Sequence, residues 1–79
     1  GESANNLALV LASRGDTDEA VRLLQQVLQR TPQYEAAYVT LAKIFFTTDR
    51  PKDAVAVLER LLQRNPTHAV ALELLRPAK

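Results

Sequence analysis

"GDTDEAVRLLQQVLQRTP", residues 15–32, and "DRPKDAVAVLERLLQRNP", residues 49–66, are two versions of one pattern. Sliding the chain along itself until Gly15 meets Asp49 superposes Leu7 on Leu41, Ala8 on Ala42, Ala20 on Ala54, Val21 on Val55 and Leu24 on Leu58. It also superposes Leu28, Gln29, Arg30 and Pro32 on Leu62, Gln63, Arg64 and Pro66. The matches concentrate on apolar positions and on the closing proline, so they mark a shared architecture more than a shared chemistry.

Within each unit the apolar residues recur at helical spacing: Ala4, Leu7, Ala8 and Leu11, then Ala20, Val21, Leu24, Val27 and Leu28. Each unit therefore reads as two helices. In the first unit the break is Gly15, which tolerates the left-handed conformation that closes a helix. Asp16 and, three residues on, Glu19 supply a capping signal for the next helix. In the second unit Pro51 stands at the first helical position, which makes Arg50 the capping residue. Arginine caps poorly, so that turn relies on Asp49 and Asp53 near the positive end of the helix dipole. Pro32 and Pro66 then close the second helices, because proline cannot continue the hydrogen-bond ladder. The pattern predicts five helices, at about 3–14, 17–30, 34–47, 51–64 and 67–76, the last capped by Thr67 and ended by Pro77. None is long enough to persist alone in water, so each hairpin has to be stabilised by its neighbour.

These residues resemble the tetratricopeptide repeat family. Tyr38, Leu41, Ala42, Phe45, Ala54, Leu58 and Pro66 sit where that helix-pair motif places an aromatic, Leu, a small residue, an aromatic, Ala, a large apolar residue and Pro. Leu7, Ala8, Leu11, Gly15, Ala20, Leu24 and Pro32 do the same in the first unit, and "AVALELL" is similar to the first half of a third, with Leu72 and Leu75 at core positions. The resemblance implies an all-α fold, a right-handed α-solenoid of antiparallel helix hairpins in one domain over residues 1–79. Repeat one spans 1–34, repeat two 35–68 and a capping helix 69–76. Ala8, Ala20, Ala42 and Ala54 would let the paired helices approach closely. Three features depart from the motif. Ala4 replaces a bulky aromatic and weakens the packing of the first helix, Val27 and Leu61 replace a small residue, and Arg76 marks the end of the third unit.

Composition narrows the chemistry. Ten basic against nine acidic residues give a net charge of +1, too weak a field to draw phosphate backbones or anionic lipid. With no cysteine there is neither a disulfide framework nor a Cys-based zinc site, and the redox compartment stays unread. No run of about 18 apolar residues exists to span a bilayer, and "GESANN" lacks the features of a signal peptide. A leading Gly1 that opens almost directly into a helical pattern is what a segment cut from a longer chain would show. Seven arginines against three lysines, with abundant Ala, Leu and Gln, point to a GC-rich bacterial source.

His68, the single histidine, has no visible partner for metal binding or acid–base work and reads as structural. Ser3 and Ser13 lack a base, and two glycines make no phosphate loop. No catalytic residue, metal site or cofactor is expected. Arg22, Arg30, Arg60 and Arg64 fall on solvated faces and last turns, and two of the four aromatics match core positions, which leaves no stacking platform for nucleic acid. An RNA-reading array of the pentatricopeptide type would have a longer period and a more basic charge.

What the resemblance implies instead is a protein or peptide partner, bound in a concave groove lined by the first helices of successive repeats. Projecting the residues that face away from the core assigns Asn5, Leu9, Ala36, Val39, Lys43, Phe46, Thr47, Val70 and Glu73 to that groove. This groove is mostly apolar with one cation; family members that clamp a carboxylate terminus carry Lys, Arg and Asn at several of these sites, whereas here Asn5 matches only in part and Leu9, Thr40, Val70 and Leu74 do not, so a carboxylate clamp is not expected. A second feature lies at the ends. Ala69, Val70, Ala71, Leu72, Leu74 and Leu75 surround the last helix, and Leu7 to Ala12 do the same for the first, although a capping helix should be polar outside. Two functions follow: a scaffold or adaptor module that binds through the groove, and a self-assembly module that dimerises or stacks through Val70, Leu74 and Leu75.

Overall fold

A computed structural model describes the backbone of residues 2–75 and the side chains of residues 4–75. The chain folds into α1 (Glu2–Ser13), α2 (Thr17–Arg30), α3 (Glu35–Thr47), α4 (Pro51–Arg64) and α5 (Ala69–Leu75), with no strand among the described residues. Each helix packs on the next, and α1 also reaches α3. The result is a slab of 29 × 28 × 16 Å, whose short dimension is what two helix layers about 10 Å apart require. First helices α1, α3 and α5 form one layer, and α2 and α4 the other. Arg76 and Pro77, expected to end the last helix, lie outside the described residues.

The register of the repeat is carried into the backbone. Gly15 has φ 92°, and its equivalent Asp49 has φ 63°, the one non-glycine residue with positive φ among the described residues. Behind each, the same pattern closes the preceding helix: the Asp16 N–H donates to Leu11 O at 2.8 Å and the Arg50 N–H to Phe45 O at 2.8 Å. Asp49 is therefore less a helix-start acid than a residue held in the left-handed region, where Asp is tolerated and Gly preferred.

Two capping expectations are corrected. Asp16 and Arg50 do occupy the capping positions, but neither side chain bonds the open N–H groups; only their carbonyls engage, accepting from Ala20 and Ala54 at 3.1 Å each. Asp18, Glu19 and Asp53 lie in first turns and act on the dipole. The last helix starts at Ala69, not Thr67. Residues 65–68 form a turn closed by the His68 N–H on Asn65 O at 3.1 Å, the counterpart of the Tyr34 N–H on Thr31 O at 3.0 Å. Thr67 donates to Asn65 Oδ1 within that turn, and His68 takes the capping position.

The core runs through both layers. Ala8, Ala20, Ala42 and Ala54 are fully enclosed at the helix crossings, as are Ala37 and Ala71, a further pair in the register of the repeat. Leu24, Leu41, Leu58 and Leu61 are the largest enclosed side chains, so the second unit accommodates Leu61 where the motif prefers a small residue. Tyr38 ties α3 to the turn before it, since its hydroxyl donates to Pro32 O at 2.9 Å while the Arg60 guanidinium lies 5.8 Å above its ring. Phe45 is covered in the same way by Arg50 at 5.9 Å. Such cation–π contacts contribute about 0.5–1 kcal/mol at exposed sites.

The two turns provide a matched test. A Cβ on Gly15 would meet nothing within 4 Å, so Gly15→Ala is expected to lower unfolding free energy by about 1 kcal/mol through backbone conformation alone. Asp49→Gly is expected to raise it by about 0.5 kcal/mol. Urea titrations of the two variants read both values.

Candidate partner-binding face

On α3 the positions 36, 39, 43, 46 and 47 fall on one side at helical spacing, opposite the enclosed Leu41 and Phe45. Two shallow depressions flank that side. One, of about 320 Å³, lies between α1 and α3 and is lined by Leu9, Ala12, Ser13, Lys43, Ile44 and Thr47. The other, of about 470 Å³, lies between α3 and α5 and is lined by Lys43, Phe46, Thr47, Glu73 and Leu74. Lys43 and Thr47 belong to both, so the two depressions meet along α3.

Of the residues assigned from the sequence, Leu9, Lys43, Phe46, Thr47 and Glu73 are brought together here. Asn5, Ala36, Val39 and Val70 stand outside the walls: Asn5 and Val39 are half-buried, and Ala36 and Val70 are exposed. The Asn5 Oδ1 atom is enclosed, with no hydrogen-bond partner among the described residues. Ala12, Ser13, Ile44 and Leu74 line the depressions without having been assigned to the groove. For the serine, the signal is in the hydrogen bonding. Ser13 donates its hydroxyl to Val10 O and Thr47 donates to Ile44 O, each at 2.9 Å, so both residues satisfy their polar atoms within their own helix. The walls are thereby apolar, with one ammonium and one carboxylate, and neither Lys43 nor Glu73 forms an ion pair among the described residues.

The α5 wall is held by His68. Its Nδ1 accepts from the Ala71 N–H at 3.3 Å, a side-chain cap on the third residue of the helix. An accepting Nδ1 assigns the imidazole proton to Nε2, which lies 3.5 Å from Glu35 Oε1. Asn65 donates to the same Glu35 oxygen at 3.4 Å. The lone histidine thus links the start of α5 to the start of α3.

The apolar residues at the ends divide differently from the expectation. Leu74 and Leu75 are half-buried against the core, and only Val70 of the three self-association candidates is exposed. Leu72, expected in the core, is 48% exposed. Its equivalent Tyr38 is covered by α4, whereas no described helix follows α5 to cover Leu72. On α1, Leu7 and Val10 are each 50% exposed, although Leu41, the equivalent of Leu7, is enclosed.

Paired antiparallel helices repeating in one register, with a shared first-helix face, define a helical-repeat solenoid. A family model described as tetratricopeptide repeat matches residues 11–76, and the chain belongs to the tetratricopeptide repeat family. Repeats of this family generally mediate protein–protein interaction and are typically non-catalytic. No curated protein and no solved structure matches the chain.

The cap is testable by exchange at one position. His68→Ala is expected to cost about 1 kcal/mol of unfolding free energy, and His68→Asn, which keeps a capping acceptor, to recover most of it. Chemical denaturation monitored by circular dichroism measures the difference.

Proposed function

We propose that the chain is an interaction scaffold or adaptor module that takes a peptide or a partner's helix against α3, with α1 and α5 as side walls. The observation that carries this reading is the pair of apolar depressions meeting at Lys43 and Thr47. Two bulky apolar side chains of a partner would seat on either side of Lys43, and burial of each contributes about 1.5–3 kcal/mol before the costs of association. Lys43 and Glu73 add direction, favouring a partner whose charges alternate in the opposite sense. Among the described residues no helix is long and apolar enough to cross a membrane, and the net charge of +1 favours neither lipid nor nucleic acid.

A second reading is favoured by one observation, the exposure of Leu7, Val10, Val70 and Leu72 on the two end helices. Under it the chain dimerises or stacks end to end, burying those residues against a second copy. Leu74 and Leu75 contribute less to such a contact, since they already pack inward.

Peptides selected from a random library on the wild-type chain separate the two. Under the groove reading, Phe46→Glu weakens the selected peptides by more than about tenfold, or about 1.4 kcal/mol, and leaves the solution mass unchanged. Equal binding by Phe46→Glu would contradict it. Under the self-assembly reading, light scattering gives a multiple of 8.8 kDa that Leu72→Glu returns to the single-chain value.

A further inference from the structure

Ala4 is the equivalent of Tyr38, and the space left by the missing ring is still present. A recess of about 310 Å³ is lined by Ala4, Leu23, Gln26, Val27, Arg30 and Thr31. Carried forward by one repeat, its walls become Tyr38, Val57, Arg60, Leu61, Arg64 and Asn65. In the second unit that space is filled: the Tyr38 ring lies beneath Arg60, Val57 is 7% exposed and Leu61 is enclosed. In the first unit Leu23 and Val27 are only half-buried. Among the described residues the fold thus holds the same socket twice, once with its aromatic occupant and once without.

We propose that the recess between α1 and α2 is a receptor for an aromatic side chain, tyrosine or phenylalanine, presented by a separate polypeptide. The second unit defines the chemistry of the occupant. A flat ring covers the apolar floor of Leu23 and Val27, with its face open to the rim as the Tyr38 ring is to Arg60. The rim of Gln26, Arg30 and Thr31 is polar, and Arg30 forms no ion pair among the described residues, which favours a carboxylate beside the ring. A second copy of this chain is a poor donor. Of its four aromatics Tyr38 and Phe45 are buried, Tyr34 packs against the core, and Phe46 lines the depression between α3 and α5. The recess is separate from that depression, so this receptor does not depend on the groove.

The test uses N-acetyl-L-tyrosinamide titrated into the full chain, with the methyl groups of Leu23 and Val27 followed by NMR. Saturable shifts at both methyl pairs are expected, larger than those produced by N-acetyl-L-leucinamide, and unchanged in Phe46→Glu. Ala4→Phe supplies the missing ring from within and is expected to weaken the probe by about tenfold or more. Gln26→Arg, at an exposed position where folding is not at stake, copies the Arg60 arrangement and is expected to tighten it about threefold. The proposal is overturned if the shifts fall on the groove instead, if Gln26→Arg leaves the affinity unchanged, or if a folded Ala4→Phe binds as the wild type does. Shifts at Leu23 and Val27 that grow with protein concentration in the absence of probe would assign the ring to a second copy and overturn the choice of a separate polypeptide.

Discussion

Enclosure of α3 between α2 and α4 is the constraint on which the other helices depend. Ala37, Tyr38, Leu41, Ala42, Ile44 and Phe45 are all buried, so an apolar arc of roughly half of this helix's circumference has to be covered. Both α2 and α4 pack on α3. The repetition answers that need, because the second helix of the first unit covers the side that the second unit leaves open. The other face of α3 carries Lys43, Phe46 and Thr47, and it becomes the floor between α1 and α5. Fold and candidate site are two sides of one helix.

The same logic accounts for the ends. α1 has α2 and the edge of α3 to pack on, and α5 has α4, but among the described residues each lacks the second cover that α3 enjoys. Leu7 is therefore half exposed where Leu41 is enclosed, and Leu72 is half exposed where Tyr38 is covered. The recess at Ala4 is a local form of the same deficit, with a ring removed rather than a helix. Apolar area left open in this graded way makes the end helices the least stably held parts of the fold, and makes their faces the natural places for a neighbour.

Most of the architecture was legible in the sequence because repetition is an unusually direct signal: equal residues at equal spacing have to face equal environments. Boundaries failed where a local preference was followed instead of the register. Thr67 is the better capping residue by type, yet carrying the start of α3 at Glu35 forward by one repeat gives Ala69, the observed start, and leaves the cap to His68. Asp16 carries the right side chain for a cap but makes no side-chain bond to the helix. The residues assigned to the groove divide between the walls of the depressions and their surroundings. Leu9, Lys43, Phe46, Thr47 and Glu73 line the depressions, whereas Asn5 is half-buried with its Oδ1 enclosed, and Ala36 and Val70 lie beyond the walls. Ser13 was not found because an apolar wall does not suggest serine; its hydroxyl had first to be seen bonded to Val10 O. Helical spacing gives a direction around one helix, and it does not give the position of the next.

Native-state hydrogen exchange tests the central claim, that the fold is held by a helix enclosed on both sides. Amides of α3 are expected to exchange only through global unfolding, together with the facing half of α4, while those of α1 and α5 exchange through cheaper local openings. Equal protection along all five helices, or slower exchange in α1 than in α3, would contradict it.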